Sequence, residues 1–180
     1  DLRDVSMGFD GRMLFEHLNF LVKKDDRLLV LGQNGCGKST LIKLIIGKLE
    51  PVSGIIEAGY NVEIGYYDQE NQGLDDRNTV LEELWSLYPD MKEKDARGAL
   101  GSFLFRGDDV FKPVSVLSGG ERARLTLAKL ILSEMNVLIL DEPTASLDPI
   151  AEHTLNQSMV KAANKKTVLF ISHRLSTTVM

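Results

Sequence analysis

Residues 27–40 read RLLVLGQNGCGKST. A continuous apolar run leads into a turn with three glycines, and Lys38, Ser39 and Thr40 open a helical pattern that carries Leu41, Leu44, Ile45 and Ile46. Unbroken apolar runs of this length suit strands buried on both faces, as in a parallel sheet. A strand that turns straight into a helix is half of a crossover unit, so this stretch alone directs the chain toward an α/β fold. The spacing is G-x-x-x-x-G-K-[ST], the pattern that cradles phosphate. Gly32, Asn34, Gly35 and Gly37 form the turn, whose glycines let backbone N–H groups close around an anion. The helix start adds partial positive charge. In such a loop Lys38 reaches the β- and γ-phosphates, Ser39 holds Mg²⁺, and Thr40 lies by the α-phosphate.

Two further runs, NVLILD (136–141) and TVLFIS (167–172), have the same buried-strand character, and helices are expected over about 118–134 and 149–163. The stretches 1–30 and 52–67 alternate in period two with glycine turns, as antiparallel strands do. Residues 71–113 differ: TVLEELWSLY and KEKDARGALGSFLF are helical with polar breaks. The expected architecture is α/β, with a mostly parallel core sheet, an N-terminal antiparallel part and a small inserted helical subdomain over about 71–134. With 180 residues, the chain suits a single domain. Its net charge of −5 argues against a dominant nucleic-acid footprint. A single cysteine, Cys36, rules out an internal disulfide framework and fits a reducing compartment. The apolar runs are far too short to span a bilayer. We expect a cytoplasmic location.

The strand VLILDE ends in two carboxylates. Asp141 is suited to hold Mg²⁺ through water, and Glu142 to polarise or orient an attacking water. Together with the glycine loop they point to phosphoryl transfer from a nucleoside triphosphate.

LSGGE (117–121) narrows the class. Ser118 suits an N-cap, and Gly119 and Gly120 allow close backbone approach at a helix start. With this pentapeptide the chain resembles the ATP-binding cassette (ABC) ATPases, over essentially its whole length. The resemblance implies ATP and Mg²⁺ as cofactors and a second cassette as partner, in a homodimer or pseudo-dimer. It implies that Ser118, Gly119 and Gly120 complete the partner's site. It puts Phe9 where an aromatic stacks on adenine, although Phe9 equally suits a core, with Tyr60 and Tyr67 as weaker candidates. It assigns Gln69 to Mg²⁺ and the attacking water, Asp148 to the contact with the opposite cassette, and His173 to the γ-phosphate. The implied catalytic set is Glu142, His173, Gln69 and Lys38; the implied metal set is Ser39, Gln69 and Asp141. Asp25 stands where the family commonly has glycine in a turn. Cys36 is expected to pack rather than react.

Residues 1–143 resemble the ABC-F group, soluble twin-cassette proteins that act on ribosomes. Residues 145–180, with ASLDPIAEHTLNQ and SHR, resemble the nucleotide-binding domain of ABC exporters. This divided resemblance raises the expectation of an engineered join near 143–146, with a natural but divergent cassette as the alternative, and of a cassette truncated at its C-terminus. The expected activity is Mg²⁺-dependent ATP hydrolysis by a head-to-tail dimer. The alternatives are a nucleotide-binding module with little turnover, a ribosome-associated factor, or the motor of a membrane transporter.

Overall fold

A computed structural model describes residues 1–67, 73–143, 157 and 166–172. The expected helix over 149–163 lies almost entirely outside the described residues, as do Gln69, Asp148 and His173.

Two sheets organise the fold. Strands β1 (Leu2–Phe9), β2 (Arg12–Phe20) and β4 (Ser53–Ile56) form an antiparallel sheet in the order β2-β1-β4. Strands β3 (Arg27–Leu31), β5 (Ile64–Tyr67), β6 (Val137–Asp141) and β7 (Thr167–Ser172) form a parallel sheet in the order β3-β7-β6-β5. Residues 64–67 thus correct the expectation of antiparallel strands throughout 52–67. Gly65 lets β5 lie close under a helix: a Cβ there would meet Leu130 Cδ1 and Met135 Sδ, each at 2.7 Å. The backbone carbonyl of Glu63, just ahead of β5, accepts from the amides of Asn136 and Val137 at 3.1 Å.

Helix α1 (Lys38–Ile45) packs between the sheets. Ile42 joins Ile139, Leu169 and Ile171 in one apolar cluster, and Leu44 joins Leu2, Val5 and Met7 in another. The larger core lies beneath α2 (Val80–Trp85), α3 (Glu93–Ser102) and α4 (Gly119–Leu132), where Leu84, Leu100, Phe103, Leu125, Leu127 and Ile131 are buried. Each such side chain contributes about 1.5–3 kcal/mol through burial. Helices α2 and α4 begin with reciprocal capping boxes, Thr79 with Glu82 and Ser118 with Glu121. Losing such a cap typically costs about 1 kcal/mol.

Asp25 adopts a left-handed conformation with φ 66°, a geometry that favours glycine. Its amide donates to Thr167 Oγ1 at 2.9 Å, so β7 holds the strained turn in place.

Candidate phosphate and nucleotide site

All four strands of the parallel sheet run the same way, so their C-terminal ends share one edge, where open α/β sheets bind ligands. In the register, Leu31 pairs with Ser172 and Asp141 with Ile171. The ends of β3 and β6 therefore flank the end of β7. The glycine loop leaves β3 on one side, and Asp141 and Glu142 leave β6 on the other.

The loop is built by its glycines. Gly35 has φ 79° and Gly37 φ 100°, both in the left-handed region. A Cβ on Gly37 would also meet the Phe15 ring at 3.3 Å, so the loop rests directly on β2. Lys38 Nζ donates to the carbonyls of Gly32 at 2.8 Å and Gln33 at 3.0 Å, folding the loop over its own ammonium. Among the described residues no side chain caps α1, and its first turn carries no acidic residue. Its amides and dipole are thus left to an anion. Gly35, Asn34 and Ser39 are exposed; Gly32, Gly37, Lys38 and Thr40 are half-buried.

Ser39 Oγ donates to Asp141 Oδ2 at 3.3 Å, which brings the loop and the end of β6 together across 102 residues. A hydroxyl and a carboxylate in contact are hard oxygen donors, and that set fits Mg²⁺. Glu142 follows with φ 48°, and its amide donates to the Ile171 carbonyl at 3.0 Å. A non-glycine residue held there stores about 1–3 kcal/mol of strain, a feature that clusters at functional sites.

The other candidates divide. Phe9, at the end of β1, is 48% exposed, which removes the core alternative. Tyr60 is fully exposed, whereas Tyr67 is 1% exposed and buried in the core, so Tyr67 is no stacking platform. Cys36 is exposed, against the expectation that it packs, although its sulfur lies where a Cβ on Gly32 would sit, 2.6 Å away. Ser118, Gly119 and Gly120 stand on α4, which packs on β5, α2 and α3. The hydrogen bonds of Ser118 stay within its own turn. Those bonds hold the Glu121 carboxyl below its ordinary range, with the Ser118 hydroxyl as the largest cause. A Cβ on Gly119 would meet nothing within 4 Å, so nothing described in this chain demands glycine there.

Sequence reasoning missed a buried pair between Glu83 on α2 and Lys129 on α4. Its signal was a charge on the apolar face made by Val80, Leu81 and Leu84. A cleft of about 410 Å³, lined by Ile45, Ile64, Val137, Thr167 and Tyr60 among others, opens at the opposite, N-terminal edge of the parallel strands. It is separate from the phosphate loop and from Asp141.

A parallel sheet with a glycine loop, a lysine and an acidic strand end on one edge defines a phosphate-loop α/β protein. Residues 15–145 match the ABC transporter family, and the chain belongs to it. It is 45% identical over 173 residues to YdiF of Bacillus subtilis, covering 96% of this chain and 27% of YdiF. It is 38% identical to the ATP-binding protein Uup of Escherichia coli, covering 96% of this chain and 28% of Uup. It is also 38% identical to ABC transporter F family member 5 of Arabidopsis thaliana, covering 96% of this chain and 25% of that relative. The chain thus spans about a quarter of the length of these relatives. None of these comparisons supports a join near residues 143–146. An ABC transporter ATP-binding protein from Pyrococcus furiosus superposes with a TM-score of 0.80 at 26% identity, over 96% of this chain and 90% of that one. An inward-facing metal-chelate type ABC transporter superposes with a TM-score of 0.75 at 30% identity, over 99% of this chain and 74% of that one. Among the described residues, no helix is long and apolar enough to cross a membrane.

Proposed function

We propose that the chain binds ATP with Mg²⁺ and hydrolyses it as a head-to-tail pair of cassettes in the cytoplasm. The observation that carries this is the meeting of Ser39 and Asp141 at 3.3 Å, beside Lys38 and Glu142 on one sheet edge. Uup, a relative, is named for ATP binding.

The loop amides of 32–38 and the start of α1 hold the phosphates. Lys38 releases the Gly32 and Gln33 carbonyls and turns to the β- and γ-oxygens. Ser39 and Asp141 would hold Mg²⁺, which when bound neutralises charge on the β- and γ-oxygens. Glu142, at the end of β6, polarises the attacking water as a general base or orients it. Phe9 offers an exposed ring to the adenine, a contact indifferent to base edges. Gln69, Asp148 and His173 join this proposal from the sequence alone: Gln69 toward Mg²⁺ and water, Asp148 toward the opposite cassette, His173 toward the γ-phosphate. Ser118, Gly119 and Gly120 act in trans, as the family resemblance implies; the open space at the Gly119 Cβ position leaves room for that contact. The 1–180 span acts as a single cassette whose helical part, about 71–134, carries that turn.

The test is hydrolysis across a range of protein concentrations, for the parent and for Glu142→Gln. Activity that rises more steeply than concentration, and falls by at least about 10²-fold in the variant with nucleotide binding intact, supports the proposal. Binding without turnover in the parent supports the second reading, a nucleotide-binding module. Co-sedimentation with ribosomes in ATP, using Glu142→Gln, tests the ABC-F output; binding to a transporter's membrane domain tests the other.

A further inference from the structure

The cleft at the N-terminal edge of the parallel strands takes no part in the phosphate site. Its volume of about 410 Å³ lies within the ~300–1,000 Å³ of small-molecule pockets. Three parts of the fold wall it. Ile45 is the last residue of α1, Ile64, Val137 and Leu169 belong to the parallel sheet, and Ile56 to the antiparallel sheet. The loop between β4 and β5 adds Tyr60, which is fully exposed, and Val62, which is exposed.

Most polar side chains along the cleft are already committed. Asn136 Oδ1 accepts from the Glu63 amide at 3.0 Å, and Asn136 Nδ2 donates to the Asn61 carbonyl at 2.7 Å. Thr167 Oγ1 accepts from the Asp25 amide at 2.9 Å and donates to the Lys23 carbonyl at 3.3 Å. The carboxylates of Asp1 and Glu57 both hold Arg3, at 2.6 and 3.0 Å. Lys23 and Lys24 are the exceptions. Both line the cleft and are exposed, and among the described residues neither has an ion-pair partner. Asp25 and Asp26, next in the chain, do not line it.

The cleft therefore combines apolar walls with two ammonium groups that lack a counter-charge. Water against such walls finds few partners, so an apolar body displaces it with a gain. An uncharged occupant would leave the ammonium groups unanswered, and a cationic one would be repelled. We propose that the cleft is a binding site for a small amphipathic anion. Its apolar body lies against Ile45, Ile64, Val137 and Leu169, its anionic head meets Lys23 and Lys24, and the Tyr60 ring borders the mouth. The site is independent of the proposed function, because it needs neither nucleotide nor a second cassette.

The experiment is a methyl NMR titration of the chain, without nucleotide, using octanoate and separately 1-octanol. Octanoate is expected to shift the methyls of Ile45, Ile64, Val137 and Leu169 saturably, with Ile131 on α4 unmoved. The double variant Lys23→Ala/Lys24→Ala should bind octanoate roughly fivefold more weakly, the upper end for an exposed ion pair, and octanol as the parent does. Octanol should bind the parent more weakly than octanoate by a similar factor. Val137→Phe fills the cleft and should abolish the shifts, with thermal midpoints reporting that each variant folds. The lysine variant changes only exposed side chains, so it decides the matter even if Val137→Phe does not fold. Shifts that never saturate, or that spread equally to Ile131, overturn the site. Octanol binding as tightly as octanoate, or an unchanged octanoate affinity in the lysine variant, overturns the anionic head.

Discussion

Ser39 Oγ and Asp141 Oδ2 lie 3.3 Å apart, although the residues stand 102 positions apart in the chain. If both hold one ion, their substitutions are not additive. Ser39→Ala and Asp141→Asn are each expected to weaken Mg²⁺-dependent ATP binding, and the double variant to lose less than the sum, with a coupling of about 0.5–3 kcal/mol. Calorimetric titration with and without Mg²⁺ measures this. Additive losses would mean that the two side chains do not share an ion.

Gly119 separates folding from function. Nothing lies within 4 Å of its Cβ position. Alanine favours a helix over glycine by about 0.8–1 kcal/mol, so Gly119→Ala should leave the melting temperature unchanged or raised. If the start of α4 meets a partner's nucleotide as proposed, the added methyl obstructs that contact, and hydrolysis at a fixed protein concentration should fall. Unchanged turnover would remove Gly119 from the trans contact.

Gly65 behaves in the opposite way. Its missing Cβ is what lets Leu130 and Met135 come within 2.7 Å of that position. Gly65→Ala overpacks the contact between β5 and α4 and should cost about 1–3 kcal/mol. Urea unfolding checks it, through a lower midpoint at an unchanged slope.

The antiparallel sheet carries a pH-dependent contact. His17 Nδ1 lies 2.6 Å from Asp4 Oδ1, at paired irregularities where both residues have positive φ. The Asp4 hydrogen bond, followed by its charge, raises the His17 pKa above its ordinary value. A raised pKa contributes stability that is fully present below the unfolded value of about 6.5 and is lost as pH rises through the folded value. His17→Asn, which tolerates the same backbone, should lower the melting temperature more at pH 6 than at pH 8.5. An equal loss at both values would show that the charge on His17 contributes nothing.

Local chemistry by itself determined much of this protein. The apolar run before Gly32, the glycine loop and the helix after it are short-range features. Their spacing fixes which amides face an anion, whatever the rest of the chain does. The capping residue Ser118 and the departure at Asp25 are equally local, since each depends on the dihedral angles of one turn. Tertiary structure alone decided the remainder. Ile64–Tyr67 joined the parallel sheet because its partner, Val137–Leu140, is remote in sequence, and period-two alternation does not encode which sheet a strand enters. Burial of Tyr67 and exposure of Phe9 depended on which elements covered them. The contact of Ser39 with Asp141 needed β3, β7 and β6 to lie side by side in one direction, and the Glu83–Lys129 pair needed α2 and α4 to pack. Such contacts form only when distant segments bury a common apolar surface, and no stretch of sequence read by itself states which segments those are.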